Sequence, residues 1–439
     1  YKRQVVYKPK DLGTEDAYCR ILTWCNQRGV PLPLRVLKVL NRSSHGWVEF
    51  VEHEACRDRE EAQHYYRRAG MLLCLIYALE GTDCHNENII ASGEQPILVD
   101  METLMHHRPR LEDEGEGGRA QILAYEQMAH SVLRTGLLPN WQVINDGRSA
   151  YDSSGLGGNG EQELEVRAPQ WMHINTDRMT LEYAPVKMPE VNGPLLDGVP
   201  LQIEEHAEDV IEGFQQMYRF LLEQREALLA AGSPLYELAD QQVRFICRAT
   251  RIYDMLTQKL LNPRYLRDGI ERSIQLELLG KAVLPLEGPL GDKGERIRWR
   301  SIFAAERQAM EQADIPFFSA RANSNDLLVA PDQEIKGGFE ESSSELVTAR
   351  LKALGNEDLE QQMGFIHGSL YARIARDVSR GPVASSAEVD ASFATVGMPT
   401  PEGLVTQALA IAQQIFTQAI RAADGSAAWI APQYLVQAE

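Results

Sequence analysis

Gly81-Thr-Asp-Cys-His-Asn-Glu-Asn88, followed by Pro96-Ile-Leu-Val-Asp-Met-Glu102, is the stretch on which the reading of this chain turns. Asp83 and Asn88 stand five residues apart. That is the separation of the aspartate and asparagine in a kinase catalytic loop, where the aspartate orients or deprotonates a hydroxyl and the asparagine holds magnesium. Asp100 comes seventeen residues after Asp83, at the end of the apolar run Ile97-Leu98-Val99, where a kinase puts its metal-binding aspartate. A second carboxylate beside several phosphate charges makes sense when divalent cations bridge the two. Glu102, two residues on, falls on the same side of an extended segment as Asp100. Upstream, Val5-Val6-Tyr7-Lys8 has the form of the kinase strand whose lysine neutralises the α and β phosphates. The order Lys8, Asp83, Asn88, Asp100 is therefore that of phosphoryl transfer. No glycine-rich phosphate loop is visible; it would precede Lys8.

Each part also has a plainer reading. Asp-x-x-x-x-Asn recurs by chance, and an aspartate after an apolar strand commonly caps the next element. The joint order outweighs both. His85 either takes part directly or orders its loop through a backbone hydrogen bond, Cys84 reads as packing, His106 and His107 as a solvated pair, and Trp47 as core.

Working outward, the first hundred residues alternate short apolar runs with periodic segments. Val5–Lys8, Leu34–Leu40 and Trp47–Val51 read as strands, Glu15–Arg28 and Arg59–Leu79 as helices, and Ile89-Ile90 and Ile97–Val99 as short strands around a Ser92-Gly93-Glu94 turn. The acidic, glycine-rich Leu111–Gly118 reads as a mobile loop. Beyond Gln121 helical periodicity dominates, most strongly over Glu204–Ala231 and Leu235–Leu261. Ser379–Glu402 reads as a linker, followed by an amphipathic helix at Leu404–Ala423 that lacks a partner. The chain starts at Tyr1, directly in a strand, and reads as clipped at its front.

Composition removes several classes. With 439 residues the chain buries enough apolar surface to need no staples, and 44 Lys and Arg against 63 Asp and Glu leave a net charge of −19. Such a charge repels nucleic-acid backbones. The six cysteines form no CxxC pair or regular framework and suit free thiols in a reducing compartment. The longest apolar run, Met71–Leu79, is far too short to span a bilayer, so the chain reads as cytoplasmic, without a transmembrane segment.

Tyr7-Lys-Pro-Lys10, Gly46-Trp-Val-Glu-Phe50, Tyr65-Tyr-Arg-Arg-Ala-Gly70, Asp83–Asn88, Pro96–Leu104 and Asp314-Ile-Pro-Phe-Phe318 together resemble the dehydratase domain of class II lanthipeptide (lantibiotic) synthetases, the LanM type. The resemblance covers residues 1–385 and implies an α+β fold: a kinase-like, lipid-kinase-related, two-lobed core with large helical additions. Residues 386–439 resemble a linker and the first helix of an α/α-barrel LanC-like cyclase domain, whose Zn2+ ligands would lie beyond Glu439. It further implies an enzyme that uses ATP and Mg2+ to phosphorylate Ser and Thr of a ribosomally made precursor peptide (leader plus core). Phosphate is then eliminated, leaving dehydroalanine or dehydrobutyrine and ADP. Carried onto matching positions, Lys8 contacts phosphate, Asp83 and His85 serve phosphoryl transfer, Asn88 and Asp100 hold Mg2+, and Glu102 belongs to the same set. Elimination falls to Arg244 and Thr250, in Arg244-Phe-Ile-Cys-Arg-Ala-Thr250, with an upstream Asp-x-His segment outside this sequence.

On a regular helix Thr250 lies about 240° round the axis from Arg244, and the two do not share a face unless the helix breaks. Spacing alone favours Arg244, Arg248 and Arg251 as one basic stripe at i, i+4 and i+7, suited to a leaving phosphate or to a salt-bridged surface. Two other functions compete: a phosphotransferase that stops at the phosphoester, and a non-catalytic peptide-binding scaffold. Intact Lys8, Asp83, Asn88 and Asp100 argue against the scaffold. The arginines and the long helical region argue against the plain phosphotransferase.

Overall fold

The structure is a computed structural model that describes residues 4–108, 119–143, 150–157, 163–187, 192–281, 293–330, 333–380 and 400–431. The expected acidic loop and most of the expected linker lie outside these residues. Strands β1 (Val5–Lys8), β2 (Val39–Asn41) and β3 (Gly46–Glu49) form an antiparallel sheet ordered β1-β3-β2, with Lys8 opposite Gly46. Of the expected strand Leu34–Leu40 only the end is extended into the sheet. Helix α1 (Gly13–Gln27) packs its apolar face beneath.

The central support is α2 (Arg59–Ala78). Asp58 caps it by accepting from Glu61 N at 2.9 Å, while Glu61 accepts from Arg57 N at 2.7 Å. Its apolar run Met71–Leu79 is wholly buried. Behind it runs α4 (Ala207–Leu229), and the two backbones touch: a Cβ on Gly70 would come 1.9 Å from Val210 O, and one on Gly213 1.9 Å from Arg67 O. Only glycines permit that crossing.

After α2 the chain forms the hairpin β4 (Ile89–Ser92) and β5 (Gln95–Leu98), with Ile89 opposite Leu98. The pairing brings the loop that precedes β4 beside the segment that follows β5, and Val99 N donates to Asn88 O at 3.0 Å. This is how Asp83 and Asp100, far apart in sequence, become neighbours.

Beyond α3 (Arg119–Ala129) the expected helical dominance is broken by strands. These are the hairpins β6 (Trp141–Val143) with β7 (Ala150–Asp152), β8 (Glu163–Met172) with β9 (Thr180–Lys187), and β10 (Leu195–Leu196) with β11 (Val199–Pro200). The expected helix Leu235–Leu261 does not exist as one element. It divides into α5 (Pro234–Ala239), β12 (Gln242–Phe245) and α6 (Thr250–Leu260). The cause is long-range pairing. Strand β12 opens a four-stranded antiparallel sheet with β13 (Phe318–Arg321), β14 (Leu327–Ala330) and β15 (Gln333–Ile335), and Arg244 stands opposite Ser319. Behind this sheet Phe245, Ile302, Phe318 and Phe339 form their own small core.

Helices α7 (Pro263–Leu266), α8 (Gly269–Lys281), α9 (Lys293–Glu311), α10 (Ser343–Ala353) and α11 (Asn356–Arg380) complete this part. The last helix, Pro401–Thr417, stops short of the expected Ala423 and is followed by a small hairpin, Ile420–Arg421 with Ala427–Ala428. Its apolar side chains, Leu404, Leu409 and Phe416 among them, are exposed. The hairpin turn caps α3: Arg119 N donates to Asp424 at 3.1 Å and Ala120 N to Ser426 Oγ at 3.0 Å. All six cysteines are free thiols, and no helix among the described residues is long and apolar enough to cross a membrane.

Candidate active site

The loop that carries Asp83 is stretched between two flanking segments. On one side Thr103 Oγ1 donates to Thr82 O at 2.6 Å; on the other Thr82 Oγ1 donates to Arg134 O at 2.9 Å and Cys84 N to Thr135 O at 2.9 Å. Asp83 itself has φ 62°, in the left-handed region that costs a non-glycine residue energy, and these anchors hold it there. Burial raises the pKa of its carboxyl above the usual value. His85 and Arg244 oppose that rise, and Asp100 and Glu102 add to it. A carboxylate biased toward its protonated form is suited to accept a proton.

His85 accepts from Glu87 N on Nδ1 at 3.2 Å, and its Nε2 lies 3.4 Å from the Asn88 amide nitrogen and 3.9 Å from Asp83 Oδ1. That fits a residue that orients Asp83. Asn88 donates from its amide nitrogen to Asp83 O at 2.8 Å, leaving its amide oxygen as the atom that could take a cation. Cys84 is buried, as expected.

Across the gap, Lys8 donates to Val99 O at 2.9 Å and lies 3.7 Å from Asp100. The sequence reading missed a second lysine that is closer. Lys10 Nζ lies 3.2 Å from Asp100 Oδ1 and 2.5 Å from Glu102 Oε2. Both ammonium groups also approach the buried Glu15 carboxylate of α1, at 3.4 Å and 3.6 Å. A signal existed for each. Lys8 and Lys10 share one side of an extended chain, and Glu15 lies on the same helix face as the buried Tyr18, Cys19 and Leu22, where a carboxylate needs a cation. Burial works to raise the Asp100 pKa, but Lys10 and Lys8 bring it below the ordinary carboxylate value.

Asp100, Glu102 and the Asn88 amide are hard oxygen donors and fit a Mg2+ ion, which commonly takes one or two carboxylates and completes its shell with water and phosphate oxygens. Among the described residues no group of three or more His, Cys, Asp or Glu is placed to hold a metal, so an ion at Asp100 and Glu102 would need further ligands from outside the protein.

Arg244 joins this cluster from β12. Its backbone N donates to Glu102 O at 2.8 Å, its guanidinium pairs with the Glu102 carboxylate, and it lies 5.6 Å over the Phe317 ring. The arginine stripe expected from spacing is not formed. Arg248 is spent on the buried Glu306 at 2.7 Å, and Arg251 donates to the Tyr151 hydroxyl. Thr250 opens α6 on the surface, without a hydrogen bond to the cluster. His106 and His107 are not solvated. Both are buried, His106 with Arg134 and Ile246 N facing its two ring nitrogens, and His107 with Nε2 2.8 Å from Ser324 O. Trp47 is only half-buried, against Tyr7 and His45.

Three residues before Asp83, the buried Glu80 carboxylate takes three guanidinium groups: Arg108 at 2.5 Å, Arg134 at 2.6 Å and Arg350 at 3.0 Å. Burial alone would raise its pKa; the three arginines hold it below the usual carboxylate range. A separate cavity of about 530 Å³, lined by His130, Arg350 and Arg421 among others, shares no residue with the Asp83 cluster.

A family model described as a domain of unknown function, DUF4135, matches residues 1–321. The lacticin 481/lactococcin biosynthesis protein LcnDR2 of Lactococcus lactis subsp. lactis is 25% identical over 391 residues. That match takes in 85% of this chain and 39% of the relative, so the chain spans about two fifths of the relative's length.

Proposed function

The chain belongs to the DUF4135 family, and from that premise, together with its likeness to a lacticin biosynthesis protein, we propose that it is the kinase-like dehydratase part of a class II lanthipeptide synthetase. The observation that carries this reading is the convergence of Lys8, Lys10, Asp83, Asp100, Glu102 and Arg244, drawn from four separate segments, on one small volume.

In this reading the substrates are ATP and the Ser or Thr hydroxyls of a precursor peptide. Asp83 takes the hydroxyl proton as the oxygen bonds to the γ phosphorus and the bond to the bridging oxygen breaks, releasing ADP. Lys8 and Lys10 offset phosphate charge, and His85 keeps Asp83 in line. Magnesium, held by Asp100, Glu102 and the Asn88 amide oxygen, supplies the remaining positive charge. Elimination follows because phosphate leaves where hydroxide does not. A general base takes the Cα proton, the C–H electron pair becomes the Cα–Cβ double bond, and the Cβ–O bond breaks with its pair on phosphate. Arg244 receives that phosphate: Glu102 already orients its guanidinium, and charge-assisted Arg–phosphate bonds are strong. Thr250, exposed at the start of α6, is taken as the second group of this step from its match to the family pattern.

The test is mass spectrometry of precursor peptide incubated with the full-length protein, ATP and magnesium. Loss of one water per modified residue is expected. Asp83→Asn should lower both dehydration and phosphorylation by about a hundredfold or more. Arg244→Ala should let phosphopeptide accumulate; unchanged dehydration in that variant would remove Arg244 from the elimination step. Phosphopeptide as the sole product of the wild type would establish a phosphotransferase without elimination.

A further inference from the structure

Lys10 stands where a divalent cation would have to stand. A metal ion shared by Asp100 and Glu102 must touch one oxygen of each, and the Lys10 ammonium already does so, at 3.2 Å from Asp100 Oδ1 and 2.5 Å from Glu102 Oε2. It is also 3.6 Å from Glu15 Oε1, so three carboxylates surround one ammonium. Lys8 is placed differently. It is anchored to Val99 O and approaches Asp100 only at 3.7 Å, with no contact to Glu102.

We infer that Lys10 is an internal cation that holds the metal-binding carboxylates closed, so that a divalent ion enters only together with a nucleotide whose phosphates give the displaced ammonium a new partner. The inference rests on the metal site proposed above. Its physical basis is that an ammonium and a divalent ion cannot occupy one pair of carboxylate oxygens, since at contact distance their repulsion is large even with strong screening. Leaving is feasible for Lys10. Its side chain is 29% exposed on a flexible stem, and Glu15 retains Lys8 at 3.4 Å when Lys10 withdraws. The consequence is coupling: nucleotide and metal each favour the other's binding by the same factor. Free metal alone would not occupy the site and polarise water there.

The experiment measures Mn2+ affinity of the full-length protein by the EPR signal of free Mn2+, without and with a non-hydrolysable ATP analogue. Without nucleotide, Lys10→Met and Lys10→Gln are expected to bind Mn2+ at least about tenfold tighter than the wild type. Lys8→Met, which removes a nearby charge outside the shared position, should gain clearly less. Thermal unfolding followed by circular dichroism verifies that each variant is folded. If the Lys10 variants gain nothing, or Lys8→Met gains as much, Lys10 does not occupy the metal position and the inference falls while the metal site stands. If neither wild type nor variants bind Mn2+ even with the analogue, the proposed metal site itself is wrong.

Discussion

At the scale of the residue, Glu80 and Asp83 act as a pair although they do not touch. Both have positive φ, 53° and 62°, so the loop between them is wound tightly and would relax if released. Glu80 holds it by drawing in Arg108, Arg134 and Arg350, which belong to three distant segments, while the Arg134 carbonyl accepts from Thr82. Glu80→Gln leaves three half-buried guanidinium groups facing a neutral amide. It should cost about 3–5 kcal/mol in urea unfolding, the usual consequence of removing one partner from a buried ion cluster. A loss below about 1 kcal/mol would mean that the arginines find other partners.

At the scale of the element, the α2–α4 crossing depends on two glycines whose missing Cβ atoms let backbone meet backbone. Gly70→Ala puts a methyl 1.9 Å from Val210 O, and the helices must part. The expected loss is about 1–3 kcal/mol by denaturant titration, the range for overpacked interiors. Gly364, exposed in α11 with nothing within 4 Å of its would-be Cβ, is the control. There alanine should stabilise by about 0.5–1 kcal/mol, because glycine in a helix is entropically costly. Equal effects at the two positions would contradict the close crossing.

Elements also show where local reading stops. The Arg59–Leu79 helix and the hairpin around Ser92-Gly93-Glu94 were legible because their signals, periodicity and a turn, are complete within a few residues. Leu235–Leu261 was not. Its apolar spacing suits a helix, but Gln242–Phe245 is a strand because Phe318–Arg321 and Glu102 supply its hydrogen bonds from outside. The supposed arginine stripe dissolves with the helix. The same break removes the objection that Thr250 would lie about 240° round a helix from Arg244.

At the scale of the whole molecule, stability should depend on pH through histidines kept neutral inside it. Burial, then Arg134 and His107, pushes His106 well below its usual 6.5; burial, then Arg134, lowers His107; and burial, then Arg108, takes His130 to about 4. In each case the folded pKa lies below the unfolded one. The unfolded chain therefore binds protons first as pH falls. Stability is complete above about 6.5 and is lost progressively below it, by roughly 1.4 kcal/mol per pH unit for each group that stays neutral when folded. His106 and His107 together should cost about 2–3 kcal/mol between pH 7.5 and 5.5, measured by urea unfolding at the two values. A stability that rises over this interval would refute neutral burial of these rings.

What the sequence determined by itself is what short-range physics controls: the hairpin that seats Asn88 beside Val99, the buried run of α2, and the order of Lys8, Asp83, Asn88 and Asp100. What only tertiary structure decided are the contacts whose partners lie far along the chain. Lys10 becomes a site residue because carboxylates about 90 positions away close around its ammonium. Arg244 reaches Glu102 across a strand edge, and His106 and His107 are buried by Phe245 of the second sheet and Phe339 of the turn that follows it. Charge and hydrogen-bonding groups announce that they need partners. Which partner each finds depends on the packing of the whole chain.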